Sequence, residues 1–268
     1  MIPAVCGASF AAALSGREDK AMLKYILVCV LAVVPLSSSR AQSFLAMEQD
    51  LEYLAATTSK IFALPRGSEV KLSFDKCDKD KADAYFDPRS RKIHVCEKLQ
   101  TDMINGWQTN LKRIGKSQEQ IDDWVSGAIM FVFVHEIGHA MIKLHNIETK
   151  DRKDEEDKAD DIATFYLLSG KSHPPDVVDG VLWFFRPITT AKKPAGKEYR
   201  ETHSLNVHRQ SNLACAAYGK NSTRFKYLLN KEFLDSVARA PQCEWEYRSL
   251  AVRVRKMLGE NLLLKSKF

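Results

Sequence analysis

The stretch AIMFVFVHEIGHAMIKL, residues 128–144, constrains the chain more than any other. Seven apolar residues run without a polar break into two histidines and a glutamate. A segment that is apolar on all sides at helical length belongs in a core. Histidines and a carboxylate carried into that core need partners there, because burying them unpaired is costly. His135 and His139 are four apart, so on a helix they stand one turn above the other and can face a single metal ion. Glu136 projects beside them and is placed to act as a general base on a water held by that ion. Chance supplies only about 0.01 H-E-x-x-H matches in a chain with 7 histidines. The plain reading, two core-edge histidines beside a surface glutamate, leaves the buried polar groups without partners.

Two candidates compete for third ligand. His145 lies six residues beyond His139, the spacing of H-E-x-x-H-x-x-G-x-x-H. That spacing needs a glycine to turn the chain, and the glycine position here is Ile142. On a continuing helix six residues rotate by about 600°, which carries His145 off the histidine face. The other candidate lies in EEDKADDIA, where Glu156 and Asp160 are four apart and share a face. Glu156 would complete a set of two histidines and one carboxylate, leaving the fourth tetrahedral position for water. Asp160 would then hold the outer nitrogen of a ligand histidine. The plain alternative for such an acidic run is a solvated helix start.

The first forty residues read as an export signal. Lys24 precedes the apolar run YILVCVLAVVPL (25–36), and Ser39 and Ala41 supply the small residues of a cleavage site. The run is shorter than the roughly 20 residues that cross a bilayer, so no stable membrane anchor is expected after cleavage. Residues 1–41 are therefore read as a signal peptide, with Met22 as the expected start, residues 1–21 an upstream over-extension, and a mature chain from about Gln42. That places the protein outside the cytoplasm, secreted or periplasmic. Cysteine usage agrees: Cys77, Cys96, Cys215 and Cys243 remain, an even number suited to an oxidising compartment. Of three connectivities, Cys77 with Cys96 and Cys215 with Cys243 bracket compact segments. A four-thiolate zinc site competes, but no C-x-x-C pair is present.

Residues 42–268 are expected to form one α+β domain, a small N-terminal sheet followed by the histidine-bearing helix and a mainly helical remainder. Residues 44–63 carry Leu45, Met47, Leu51, Leu54, Ile61 and Phe62 at helical spacing. VKLSF and KIHVC alternate as half-buried strands, with DPRSR as a turn before the second. Ser117 and Gln120 form a capping-box pattern that starts a helix at Gln118 and runs through the HEIGH segment. KDEEDKADDIATFYLL reads as a second helix with Ala159, Ile162, Ala163, Tyr166 and Leu167 on its apolar stripe. DVVDGVLWFF is a short helix or lid, and RPITTAKKPAGKEYR a loop. SLNVHRQSNLACAAY, STRFKYLLNKEFLDSVA and CEWEYRSLAVRVRKMLGENLL are expected as further helices. The net charge of +6 comes from 40 basic and 34 acidic residues spread along the chain. With no basic stripe interleaved with aromatics, nucleic acid is not an expected partner. Oligomeric state is not encoded in any of these features.

Five segments, ALPRG, ADAYFDPRSRKIHVCE, FVFVHEIGHAMIKLHNI, THSLNVHRQSNLACAAYG and RAPQCEWEY, together resemble the bacterial metallopeptidase family named domain of unknown function 4344. HEIGH followed by the E-x-x-A-D spacing is similar to the gluzincin pattern. The resemblance covers most of residues 44–250. It implies a zincin-like fold, one Zn²⁺ on His135, His139 and Glu156 with Asp160 in support, and hydrolysis of peptide or protein substrates with Glu136 as general base. It also implies an oxyanion-holding residue downstream, for which His203 in THSL is the candidate; His173 and His208 read as ordinary surface histidines. The approach to the glutamate, DRKDEED, is longer and more charged than the family's short form, so Glu155 stands as a second candidate ligand. A zinc-containing binding module without turnover, or a zinc amidase acting on cell-wall amides, are the rival readings. KIHVC is the expected edge for an extended substrate.

Overall fold

The computed structural model describes residues 51–52, 62–64, 67–76, 84–99, 109, 112, 114–169, 175–185, 206–230, 233–234 and 239–259. All of them belong to one compact unit, Leu36–Phe268. The export signal, most of the helix expected over 44–63, the loop 186–200, Cys77, His173 and His203 lie outside the described residues. The protein is α+β, with a three-stranded sheet and mostly helical structure.

The sheet comprises β1 (Lys71–Asp75), β2 (Ala84–Asp87) and β3 (Lys92–Cys96) in the order β1-β3-β2. β1 runs parallel to β3 with Leu72 opposite Ile93, and β2 runs antiparallel to it with Phe86 opposite Ile93. Leu72, Ile93 and Phe86 thus form one row on the core face, while Ser73, His94 and Tyr85 form the outer row, as period-two alternation requires. Two expectations are corrected here. The turn expected over DPRSR starts one residue later, because Asp87 closes the strand Ala84–Asp87. KIHVC is the central strand, bonded on both sides, so it has no edge left for a substrate; among the described residues the edges are β1 and β2.

α1 (Gln118–Leu144) starts at the expected capping box, in which the Gln120 N–H donates to Ser117 Oγ and the Ser117 N–H donates to Gln120 Oε1, both at 3.2 Å. By length and apolarity α1 would suffice to cross a bilayer, but 78% of its most apolar window is buried inside the fold. It is a core helix. It ends at Leu144 because Asn146 takes a left-handed turn (φ 52°), with the Ile147 N–H bonded back to the Ile142 carbonyl. The short return leads into α2 (Arg152–Ser169). Ala159, Ile162, Ala163, Tyr166 and Leu167 are all buried on it, as the stripe predicts.

α3 (Pro175–Phe184) is a packed helix and not a lid: Val178, Val181 and Leu182 are buried, and it lies against α1. Two glycines allow that contact. A Cβ on Gly127 of α1 would stand 2.5 Å from the Val177 carbonyl oxygen, and one on Gly180 of α3 would stand 2.1 Å from the Trp124 carbonyl oxygen. α4 (Asn206–Lys220) and α5 (Ala240–Leu258) pack together and are joined by the Cys215–Cys243 disulfide, with 4.8 Å between Cα atoms. Cys96 is also disulfide-bonded. The helix expected over 222–238 is corrected: its described residues hold a turn and a 3-10 segment, Lys226–Leu228. Asparagine side chains bond the backbone at both ends of the short segment. Asn221 Oδ1 accepts the Arg224 N–H at 2.9 Å, and Asn230 Nδ2 donates to the Tyr227 carbonyl at 2.8 Å.

Overpacking a close helix contact costs roughly 1–3 kcal/mol. Gly127→Ala is therefore expected to lower Tm by several degrees in a thermal melt followed by circular dichroism. An unchanged Tm would show that the α1–α3 contact is looser than described.

Candidate metal centre

The site is built from the last third of α1 and the first half of α2. Their approach is close because α1 carries Gly138 at the crossing: a Cβ there would meet Ala159 Cα at 2.9 Å. The glycine in HEIGH thus lets α2 lie near enough for its carboxylates to reach the histidines. His135, Glu136 and Glu156 are 6–7% exposed.

His135 Nε2 and His139 Nε2 are 3.2 Å apart, their rings edge to face at 4.8 Å between centroids. Glu156 Oε2 lies 3.1 Å from the first nitrogen and 3.4 Å from the second. Three atoms bound tetrahedrally to one ion at about 2.0–2.1 Å stand about 3.3–3.4 Å apart. The triangle therefore has the size of three ligands on one small metal ion. His135, Glu136 and His139 also offer donor atoms within 4.8 Å of one another. Glu136, however, is drawn elsewhere: its Oε2 accepts the Phe86 N–H of β2 at 2.9 Å. The tighter set is the one with Glu156.

The outer nitrogens are held by carboxylates. Asp160 Oδ1 lies 2.8 Å from His135 Nδ1, a close ion-pair contact without straight hydrogen-bond alignment. Asp160 is itself gripped by Arg209 of α4, with Nε to Oδ2 and Nη2 to Oδ1 both at 2.6 Å. Glu155 Oε1 lies 3.0 Å from His139 Nδ1, and its other oxygen accepts from Lys143 Nζ at 2.5 Å. Glu155, the second candidate ligand, thus stands behind His139 and not in the triangle. His145 is the C-cap of α1, and its buried Nε2 has no hydrogen-bond partner among the described residues. His208 is exposed, as read.

The electrostatics follow from this packing. Burial pushes the Glu136 carboxyl up to about 7, against the pull of His135 and His139. Burial also works to raise Asp160, but the Arg209 charge and the His135 contact hold it at about 2. For Glu156 burial is likewise outweighed, here by both histidines, and its carboxyl lies well below the usual range. Burial alone would lower His135, yet Asp160 and Glu156 raise it to about 10. The protein groups by themselves therefore favour positive charge between the carboxylates, which a metal dication supplies.

An apolar fold that brings H-E-x-x-H and a converging carboxylate together has the features of a metallopeptidase. Over residues 36–258 the chain matches the family described as "Putative metallopeptidase", domain of unknown function 4344. The chain belongs to this family. No curated protein and no solved structure matches it.

Sequence reading missed the Phe86 N–H on Glu136, the Arg209 clamp and the Lys143–Glu155 pair. Lys143 alone left a signal, four residues after His139 on the same helix face. Metal analysis after exhaustive dialysis separates the candidate ligands. Glu156→Ala is expected to lose zinc and His145→Ala to keep it, while Glu155→Ala binds about 10–100-fold more weakly, as removal of an outer-nitrogen partner does. Zinc lost on His145→Ala and kept on Glu156→Ala would reverse the ligand assignment.

Proposed function

We propose that the chain is a secreted zinc-dependent metallopeptidase that hydrolyses peptide bonds. The observation that carries this reading is the triangle of His135 Nε2, His139 Nε2 and Glu156 Oε2, with sides of 3.1, 3.2 and 3.4 Å. Two imidazoles and one carboxylate are the donor set of a catalytic zinc with an open position. Held there, zinc would lower the pKa of a bound water from 15.7 to about 7 and would polarise the scissile carbonyl.

Glu136 accepts the proton of that water and hands it to the departing amine. The Phe86 N–H fixes one of its oxygens at 2.9 Å and leaves the other for the proton. Burial favours the protonated form of this carboxyl, which makes it a better base than an exposed glutamate. The Asp160 carboxylate beside His135 Nδ1 favours the tautomer protonated there, which leaves Nε2 free to hold the metal. His203 is assigned to the oxyanion of the tetrahedral intermediate. The Cys215–Cys243 disulfide supports an oxidising compartment, and the apolar run at 25–36 an export signal cleaved to release the chain from about Gln42.

Glu136→Gln keeps a side-chain oxygen for the Phe86 N–H and removes the base. Hydrolysis of a peptide library by the zinc-loaded variant is expected to fall by about 10²–10⁴-fold with zinc content unchanged. Equal hydrolysis by both proteins would remove Glu136 from the reaction, and a zinc-loaded wild type that cleaves neither peptides nor denatured protein would sink the peptidase reading.

A further inference from the structure

Arg209 lies 49 residues from Asp160 in sequence and on a different helix, yet the two form a two-pronged pair with both bonds at 2.6 Å. The same Asp160 oxygen that receives Arg209 Nη2 lies 2.8 Å from His135 Nδ1. Arg209 is itself held from behind. Its guanidinium lies over the Phe185 ring at 4.4 Å, and Phe185 packs edge-on against Phe131 of α1 at 5.3 Å. Phe131 is one helical turn before His135, so the contacts close a ring: Phe131, Phe185, Arg209, Asp160, His135 and back along α1. The neighbouring Gln210, buried, donates to the Leu182 carbonyl at 2.8 Å and fixes α4 against α3 at the same level.

We propose that Arg209 is a positioning residue for the metal centre: through Asp160 it sets the orientation and tautomer of His135 and hence the site's zinc affinity. This rests on the zinc reading above. Asp160 alone has two oxygens and rotates about its side-chain bonds; a forked guanidinium bonded to both oxygens leaves it one orientation. In that orientation Oδ1 lies 2.8 Å from His135 Nδ1 and favours a proton there, which leaves the Nε2 lone pair for a metal ion. A lysine provides the charge but not the fork.

The molecule contains its own control. Asp161, the next residue of α2, pairs with Arg253 of α5 in the same forked manner, at 2.8 and 2.9 Å, and touches no histidine among the described contacts. Arg253 is the more exposed of the two, 56% against 11%, so the comparison is read in zinc affinity and not in stability.

The experiment compares Arg209→Lys and Arg253→Lys in the full chain, measuring the zinc dissociation constant by chelator competition and the thermal melt of each. Arg209→Lys is expected to bind zinc about 10–100-fold more weakly, the loss seen when an outer-shell partner of a ligand histidine is removed. Arg253→Lys is expected to bind as tightly as wild type, whatever its Tm. Should Arg209→Lys not fold, the pair Arg209→Gln with Asp160→Asn leaves no buried charge unmatched and is expected to show the same loss. Wild-type affinity in whichever Arg209 variant folds, or equal weakening in Arg253→Lys, overturns the inference. A wild type that holds no zinc overturns the zinc reading and the inference together, a distinguishable result.

Discussion

Two imidazoles and four carboxylates sit against an apolar helix, and none of them tolerates burial without a partner. The rest of the site follows from that requirement. Lys143 faces Glu155 and Arg209 faces Asp160, so each outer carboxylate has a cation of its own. Glu156 faces the two histidines, and Glu136 beside them accepts the Phe86 N–H. The carboxylates that converge on the two histidines favour positive charge between them, which a metal dication supplies. The crossing of Gly138 against Ala159 brings these groups within range, and the tight triangle is its consequence.

The helices behind the site serve the same end. α3 lies against α1 through Gly127 and Gly180, which places Phe185 under Arg209. α4 delivers Arg209 and is tied to α5 by the Cys215–Cys243 disulfide. α5 in turn reaches back to α2 through Arg253 and Asp161. The end of α2 that carries the carboxylates is thus gripped from both α4 and α5. Metal ligands need such second supports, because a ligand free to rotate spends binding energy on being ordered.

Much of this was legible in the sequence where the physics is local. The capping box at Ser117, the apolar run into HEIGH, the stripe of α2 and the four-residue spacing of Glu156 and Asp160 are all short-range patterns, and each fixes a face or an end. What stayed hidden depends on distant contacts. β2 is only four residues long and has no run of alternation to read. The edge role expected of KIHVC failed because strand order is a property of pairing, and β3 pairs on both sides. The stretch after Asn221 has helix-forming residues, yet its described part holds only turns and the 3-10 segment Lys226–Leu228. Arg209 looks like any polar residue of an amphipathic helix until α2 is placed beside it.

The most direct measurement is X-ray absorption at the zinc edge on the zinc-loaded full chain. The expected spectrum is a four-coordinate ion with only nitrogen and oxygen neighbours at about 2.0–2.2 Å and the outer-ring scattering of two imidazoles. Scattering from three imidazoles, or a sulfur neighbour at about 2.3 Å, would contradict a centre built on His135, His139 and Glu156.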